Sequence, residues 1–521
     1  MLRHFLHPAR STQANNISLT YARAFAASSS TTTKSSSSST TKNNNNTTTE
    51  KYQKLDPVSH VLLRPGMYVG PTTRTKQQLW LPSSTTPTRM VLQEASYIPA
   101  LYKIFDEIIV NAADNYQRDS TMTSIDVRFD RATDTISVRN DGQGIPVRLH
   151  ETEQVYVPEL VLGNLLTGSN FDDTEGRLTG GAHGFGAKLT NIFSTSFTVE
   201  TADTQRKLLY TQTWTNNMRT RGEPAIVPLP KTVASDYTMV SFTPDFPRFG
   251  MAKSSEFWKA KTTTKTTTKT TTKTTTKTSA AGKDDTLALM LRRVWDVAGV
   301  NSGLNVTIDG VPLSVDSFVD YVQLFGEPRE PMEPESSSSS TDGASTEPLY
   351  LRPNRHWELV VGTSTDAKFQ QVSFVNSIST LRGGTHVNIM VEQLCRRIAD
   401  HTNRTHGKTI PTVTPAQVRN HLKLFVSALI ENPAFDSQLK ESLTTPTAHF
   451  GSNPVLSERF TKMVIQQSGI VESVVNWSLA KERVQFLGKM KSNTKKSSSR
   501  LLGIPKLEDA NDAGDVDLGK K

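Results

Sequence analysis

IPALYKIFDEIIVNAADNYQR, residues 98–118, is the stretch on which the fold turns. Leu101, Ile104, Phe105, Ile108, Ile109 and Ala112 recur at helical spacing, which predicts an amphipathic helix. Its polar residues are unusual. Glu107, Asn111 and Asn115 are four apart and line one stripe, one turn after another. A solvated face more often carries Lys, Arg and Glu. A carboxylate followed by two carboxamides instead sets a proton acceptor beside an amide oxygen that can ligate a hard cation such as Mg²⁺. Asp106 and Asp114 on the same helix read as supporting polar residues.

Downstream, IDVRFDRATDTISVRN (125–140) alternates as a strand hairpin. It runs into Asn140-Asp141-Gly142-Gln143-Gly144, where two glycines let a ligand approach the backbone. Alone this is only a turn. VPELVLGNLL (157–166) reads as a helix, and a helix start at 187–193 precedes a strand at 195–202. Between them lies Thr179-Gly180-Gly181-Ala182-His183-Gly184-Phe185-Gly186-Ala187-Lys188. A glycine-rich loop opening a helix offers backbone amides to phosphate, and Lys188 adds charge. The spacing is not that of a Walker loop. Segments 356–361 and 369–376 read as strands; 387–401, 415–431 and 475–487 read as helices. Mixed elements with hairpins give an α+β class.

Composition narrows the field. The 521 residues suffice for two or three domains, and the net charge of +9 suits a polyanionic partner such as nucleic acid. Cys395 is the single cysteine, so no disulfide framework exists within the chain, and a buried structural thiol is the expectation. No apolar run is long enough for a membrane span. His386 and His406 read as exposed loop histidines. The first acidic residue is Glu50, and the Ser/Thr-rich stretch before it carries Arg3, Arg10, Arg23, Lys34 and Lys42. That composition is transit-peptide-like and points to the mitochondrion, with a disordered polar tail as the alternative. The Lys-Thr-Thr-Thr repeat (261–278) and an acidic Ser-rich tract (331–347) read as solvated insertions.

Glu107-x-x-x-Asn111, Asn140-Asp141-Gly142-x-Gly144 and Gly181-x-x-Gly184-x-Gly186 occur in that order. The set resembles the GHKL, or Bergerat, ATPases. The flanks LRPGMYVG (63–70), DEIIVNAADN (106–115), PELVLGNLLTGSNFDD (158–173), KLTNIFS (188–194), SFVNSISTLRGGTHV (373–387), LIENPAFDSQLKE (429–441) and IPKLEDANDAG (504–514) resemble eukaryotic-type DNA topoisomerase II. The resemblance spans about residues 51–514. It implies a GHKL ATPase α/β sandwich over 51–295 and a transducer domain of the ribosomal protein S5 domain 2-like type over 296–490. A linker over 491–521 would lead toward a metal-binding cleavage domain. With no Glu-Gly-Asp-Ser motif and no nucleophilic-tyrosine domain in the sequence, this chain alone is expected not to cleave DNA.

The resemblance also implies roles. Glu107 would be the general base. Asn111 would hold Mg²⁺, Asn140 would recognise adenine, and Asn115 would line the ribose–phosphate side. Ser169 and Asn170 would contact sugar or phosphate. The loop from Gly181 through His183, Gly184, Phe185, Gly186 and Ala187 to Lys188 would cap the triphosphate. Gln438 and Lys440 match a Gln-Thr-Lys loop whose Lys reaches the γ-phosphate. Tyr52 would cross into the partner subunit's site. ATP and Mg²⁺ follow as ligands, with DNA and a second copy of the chain as partners; the family default compartment is the nucleus. Five positions depart from the family pattern: Ala182-His183 replaces Arg-Asn, Leu439 replaces Thr, Gly168 replaces Ser and Phe185 replaces Tyr. Losing that Arg favours an alternative reading, an ATP-gated dimeric clamp with little turnover. A chaperone or histidine-kinase relative accounts less well for 504–514.

Overall fold

The computed structural model describes residues 54–83, 85–86, 88–168, 176–181, 184–259, 284–326, 349–364 and 366–494. The helix predicted at 98–118 runs Pro99–Arg118, with proline in its first turn where no backbone donor is needed. It is buried along almost its whole length, from Pro99 to Val110 and again at Ala112–Asp114. Each fully buried Leu, Ile or Phe contributes about 1.5–3 kcal/mol. That apolar contribution helps offset the cost of placing Lys103, Asp106, Glu107 and Asp114 in the same interior.

The helix packs, together with Gly186–Ile192 and Thr286–Val300, against a nine-stranded sheet. The predicted hairpin is Ser124–Asp130 with Thr135–Asp141, antiparallel, and Ser194–Asp203 lies two places further across. Asn305–Ile308 adds to Ser124–Asp130 in parallel and pairs with Val311–Pro312 at the sheet edge. The expected domain boundary at 295/296 therefore falls inside the Thr286–Val300 helix. That helix and the strands after it complete the first lobe, and Val306, Val315, Phe318 and Tyr321 join its core. The predicted helix at 157–166 ends at Gly163, where the Trp214 ring occupies the space of a side chain.

The second lobe is a five-stranded sheet in the order Leu349–Asn354, Trp357–Thr363, Leu422–Ala428, Gln370–Val375, Ile378–Ser379. Its parallel pair, Gln370–Val375 and Leu422–Ala428, is joined through the helix Thr385–His406. The helix expected over 415–431 is instead a short helix, Pro415–Arg419, closed by a Thr414/Gln417 capping box, and then the central strand. Both faces of that strand are covered. Leu422, Leu424 and Val426 enter the second core, while Phe425 enters the first. Phe425 interrupts the alternation that Lys423 and Ser427 otherwise keep, so Leu424–Val426 reads as a short apolar run. His386 and His406 both lie on the Thr385–His406 helix rather than in loops; His386 is fully buried and His406 is half-buried. Among the described residues no helix is long and apolar enough to cross a membrane.

Candidate functional site

The first turns of the Pro99–Arg118 helix concentrate charge. The Lys103 ammonium lies 2.9 Å from Asp106 Oδ2 and 2.9 Å from Glu107 Oε1. The second Asp106 oxygen accepts from Arg293 Nε at 2.7 Å, and Arg293 donates from its terminal nitrogen to the Ser377 carbonyl at 2.5 Å. Exposure is 2% for Lys103, 4% for Asp106, 3% for Glu107 and 0% for Arg293, so the charges depend on one another rather than on water. Burial alone would raise the Glu107 pKa, but the charges of Lys103 and Lys440 outweigh it and hold the group below the usual carboxylate range. Burial likewise works against the charge on Asp106, and Lys103 and Arg293 reverse it, leaving that pKa lowered too. Glu107 is thus an ionised acceptor in a nearly dry pocket.

One and two turns on, Asn111 and Asn115 are half-buried, so the stripe opens outward from the carboxylate. Asn115 Nδ2 lies 3.6 Å from Met122 Sδ, and Asn140 Nδ2 lies 4.0 Å from the same sulfur. The hairpin therefore brings Asn140, its second-last residue, beside the helix's amide end. Asp141 does not face this opening. Its carboxylate accepts from the Thr123 and Ser124 amides at 2.8 and 2.7 Å and ties the two strands together.

The glycine-rich segment closes the other side. Asp114 accepts from the Gly180 and Gly181 amides at 2.8 and 2.9 Å, which fastens the segment to the helix and commits the Gly181 amide. Gly184 has φ +64°, and a Cβ there would sit 2.5 Å from the Thr167 carbonyl oxygen. A Cβ on Gly186 would collide with Glu107 Oε2, so glycine lets the next helix start against the carboxylate without displacing it. Ala187 and Lys188 follow as buried helical residues. The Lys188 ammonium donates to the Thr167 carbonyl at 2.6 Å, and burial pulls its pKa down to about 8. Phe185 stands 6.0 Å from the Tyr68 ring.

Lys440 arrives from the second lobe. It sits in the left-handed region with φ +59°, is buried, and donates to the Gly180 carbonyl at 3.2 Å. Gln438 is half-buried in the same loop, and Leu439 packs over Gly70. Glu107, Asn111, Asn115, Asn140, the glycine segment and Lys440 thus converge from four separate stretches of chain. Tyr52, Ser169, Asn170, Ala182 and His183 lie outside the described residues, as does 504–514. Sequence reading missed Lys103, Arg293 and Ser377. Lysine at i−3 and i−4 to two carboxylates in an apolar helix was a usable signal. So was the Arg292-Arg293 pair inside TLALMLRRVWDVAGV (286–300).

Known proteins are similar to this chain in sequence and fold. The family model described as histidine kinase-, DNA gyrase B-, and HSP90-like ATPase matches residues 97–215, and the DNA gyrase B model matches 317–492. The crystal structure of the ATPase and transducer domains of DNA topoisomerase II from Balamuthia mandrillaris is 44% identical, with a TM-score of 0.71, and covers 84% of this chain and 100% of its own. The chain belongs to the type II DNA topoisomerase family. Within that family it corresponds to the ATPase and transducer region. The ATPase region of Saccharomyces cerevisiae topoisomerase II is 37% identical with a TM-score of 0.69, over 84% of this chain and all of that one. The probable DNA topoisomerase 2 of Dictyostelium discoideum is 42% identical over 89% of this chain but only 27% of its own length. The chain thus spans about a quarter of the curated topoisomerases it matches. The gyrase B match begins at residue 317, after the last strand of the first sheet, in keeping with a first lobe that extends beyond residue 295.

Proposed function

We propose that this chain binds Mg-ATP between its two lobes and hydrolyses it, as the ATP-operated gate of a type II topoisomerase that passes one DNA duplex through another. The observation that carries this reading is the meeting of an ionised, buried Glu107 with a lysine from the second lobe, Lys440, at the glycine-rich segment. Phosphoryl transfer to water needs positioning and charge neutralisation more than covalent help. Glu107 takes a proton from water as the water oxygen bonds to the γ-phosphorus. The bond from that phosphorus to the β–γ bridging oxygen breaks, and ADP leaves with the electron pair. Lys440 meets the charge that develops on the γ-phosphoryl oxygens. Asn140 accepts or donates at the adenine edge, and Asn115 lines the sugar side.

The residues present fit a magnesium ion. Asn111, half-buried one turn after Glu107, would offer an amide oxygen, a hard ligand suited to Mg²⁺, and would leave the remaining positions to phosphate and water. Bound there, Mg²⁺ supplies charge neutralisation across the phosphates. Because Lys440 and Glu107 belong to different lobes, ATP closes them together, and loss of the γ-phosphate releases them. Closure would pair two copies of the chain around a DNA segment. On the composition of residues 1–49 we assign the chain to the mitochondrion; residues 1–50 fused to a fluorescent reporter should reach that organelle, and a nuclear or diffuse signal would remove the assignment.

Replacing Glu107 with Ala tests the reaction. ATP binding should persist while steady-state hydrolysis falls by about 10²–10⁴-fold. Full turnover in this variant would end Glu107's role as base. Tight ATP-dependent pairing without phosphate release in the unaltered chain would make it a clamp rather than a turnover enzyme.

A further inference from the structure

The charges beside Glu107 do not stop at the site. Lys103 bridges Glu107 and Asp106, Asp106 bridges Lys103 and Arg293, and Arg293 ends on a backbone carbonyl of the other lobe. We propose that Lys103 is a positioning residue for Glu107, and that Asp106 and Arg293 extend it into a buried relay that reads whether the second lobe's turn at Ser377 is seated. This rests on the reading of Glu107 as the base.

The far end of the relay is a tight turn. Asn376 and Ser377 have φ of +49° and +62° and join the strands Gln370–Val375 and Ile378–Ser379. Such a turn fixes where its carbonyl points. Ser377 Oγ also donates to Asn301 Oδ1 at 3.0 Å, and Gln117 donates to the same oxygen at 3.1 Å, so the turn is registered on the first lobe by side chains as well. The next residue, Ile378, fills the space beside Gly180, whose carbonyl takes Lys440. One turn therefore touches both the relay and the glycine segment.

A two-by-two set of charges with this connectivity has a directional consequence. Lys103 and Arg293 share Asp106. If the turn withdraws, Arg293 loses the Ser377 carbonyl and its demand falls wholly on Asp106. Lys103 is then released toward Glu107 and holds that carboxylate more tightly as an ion pair, away from water. With the turn seated, as here, Arg293 is partly satisfied elsewhere and Asp106 shares Lys103 with Glu107, so the Lys103 pair orients the Glu107 carboxylate without claiming it wholly. The base would be available only when the lobes are docked.

The groups facing Glu107 are Lys103 and Asp106 from its own helix and Lys440 from the second lobe. Arg293 and Tyr102 face Asp106, and Glu441 lies near Lys103. Lys103 is the largest favourable influence on Glu107's charge, so its removal should move the titration of that carboxyl upward.

The test uses the full chain with Lys103→Met, Lys103→Arg and Arg293→Lys, each checked for cooperative unfolding and ATP binding. Lys103→Met should raise the acid limb of the kcat–pH profile by about one unit or more and lower kcat by about 10-fold, with KM for ATP little changed. Lys103→Arg should restore most of both. Arg293→Lys keeps the charge beside Asp106 but shortens the reach to Ser377; it should lower kcat with a smaller pH shift. In parallel, the Glu107 carboxyl is titrated by carbon-13 NMR in the nucleotide-free protein. An upward shift there in Lys103→Met supports the relay even if no variant hydrolyses ATP, in which case the ATPase reading alone has failed. An unmoved Glu107 titration in a folded Lys103→Met protein overturns the relay. If Lys103→Met does not fold, a conserved profile and kcat in Arg293→Lys would overturn it instead.

Discussion

Two interiors of this chain treat buried titratable groups in opposite ways. Around the Pro99–Arg118 helix, four side chains are sealed from water and kept charged, because each carboxylate faces a cation within 3 Å. In the second lobe, His386 and Cys395 are equally enclosed but kept neutral. With no charge opposite it, burial pushes the imidazole down to about 3. The same desolvation pushes the thiol up to about 12, and Arg419 only partly opposes it. Burial is common to both, so the presence of a partner decides the outcome. The first arrangement stores charge at the proposed hydrolytic site; the second removes charge from the core of the second lobe.

The strongest way to break this comparison is to take one member from the charged set. Asp106→Asn leaves Arg293 without its carboxylate while Lys103 keeps Glu107, and should cost about 3–5 kcal/mol in chemical denaturation at neutral pH. The pH dependence has a definite sign. Asp106's pKa is lower in the folded chain than its ordinary 3.8, so its contribution is present above that value and is lost as pH falls toward the folded one. Acid unfolding below pH 4 should be less steep in Asp106→Asn than in the unaltered chain. A variant of unchanged stability would mean that the set is not interdependent.

Next in size is Lys440→Ala, which removes the second lobe's cation that faces the charged set through Glu107, without disturbing the helix. It should slow ATP hydrolysis by about 10²-fold and weaken nucleotide-driven pairing, measured by phosphate release and by cross-linking with a non-hydrolysable analogue. Unchanged pairing would show that the second lobe does not sense nucleotide through this residue.

The same contrast explains what could be read from sequence. The Glu107 stripe was visible because Asn111 and Asn115 repeat at four residues with no reason to do so on a solvated face. The first sheet's hairpin alternates cleanly because its strands bury one face. Lys440 was reached only through resemblance: nothing local in Phe435–Glu441 points to a carboxylate on a helix more than three hundred residues earlier. The central strand Leu422–Ala428 reads as helix because Phe425, buried in the first core, interrupts an alternation that only Lys423 and Ser427 mark, and the helical Pro415–Arg419 runs almost directly into it. Lys103 and Arg293 are easily passed over, since a lysine or arginine in an apolar helix is ordinarily assigned to its solvated edge; their spacing is a usable signal, and packing reveals that no such edge exists. His386 was misplaced for the mirror reason. Following Arg382-Gly383-Gly384-Thr385, it looks like loop, yet Gly383–Gly384 form a two-residue strand and the helix begins at Thr385.

His386 also supplies the finest test of the neutral side of the comparison. Its Nε2 lies 3.2 Å from Thr380 Oγ1, and no carboxylate is among the causes that set its pKa. The folded chain holds it neutral while the unfolded chain protonates near the ordinary 6.5. The unfolded state therefore binds more protons between those values, and stability falls as pH drops below 6.5, by up to about 1.4 kcal/mol per pH unit from this one group. His386→Gln keeps a polar group near Thr380 and removes the titration. It should flatten the stability curve between pH 6 and 4.5, with little effect above pH 7.5 beyond the cost of repacking. If the slope survives the substitution, the acid sensitivity of the second lobe belongs to another group. The contrast would then rest on Cys395 alone, whose titration lies on the alkaline side and whose sign is opposite.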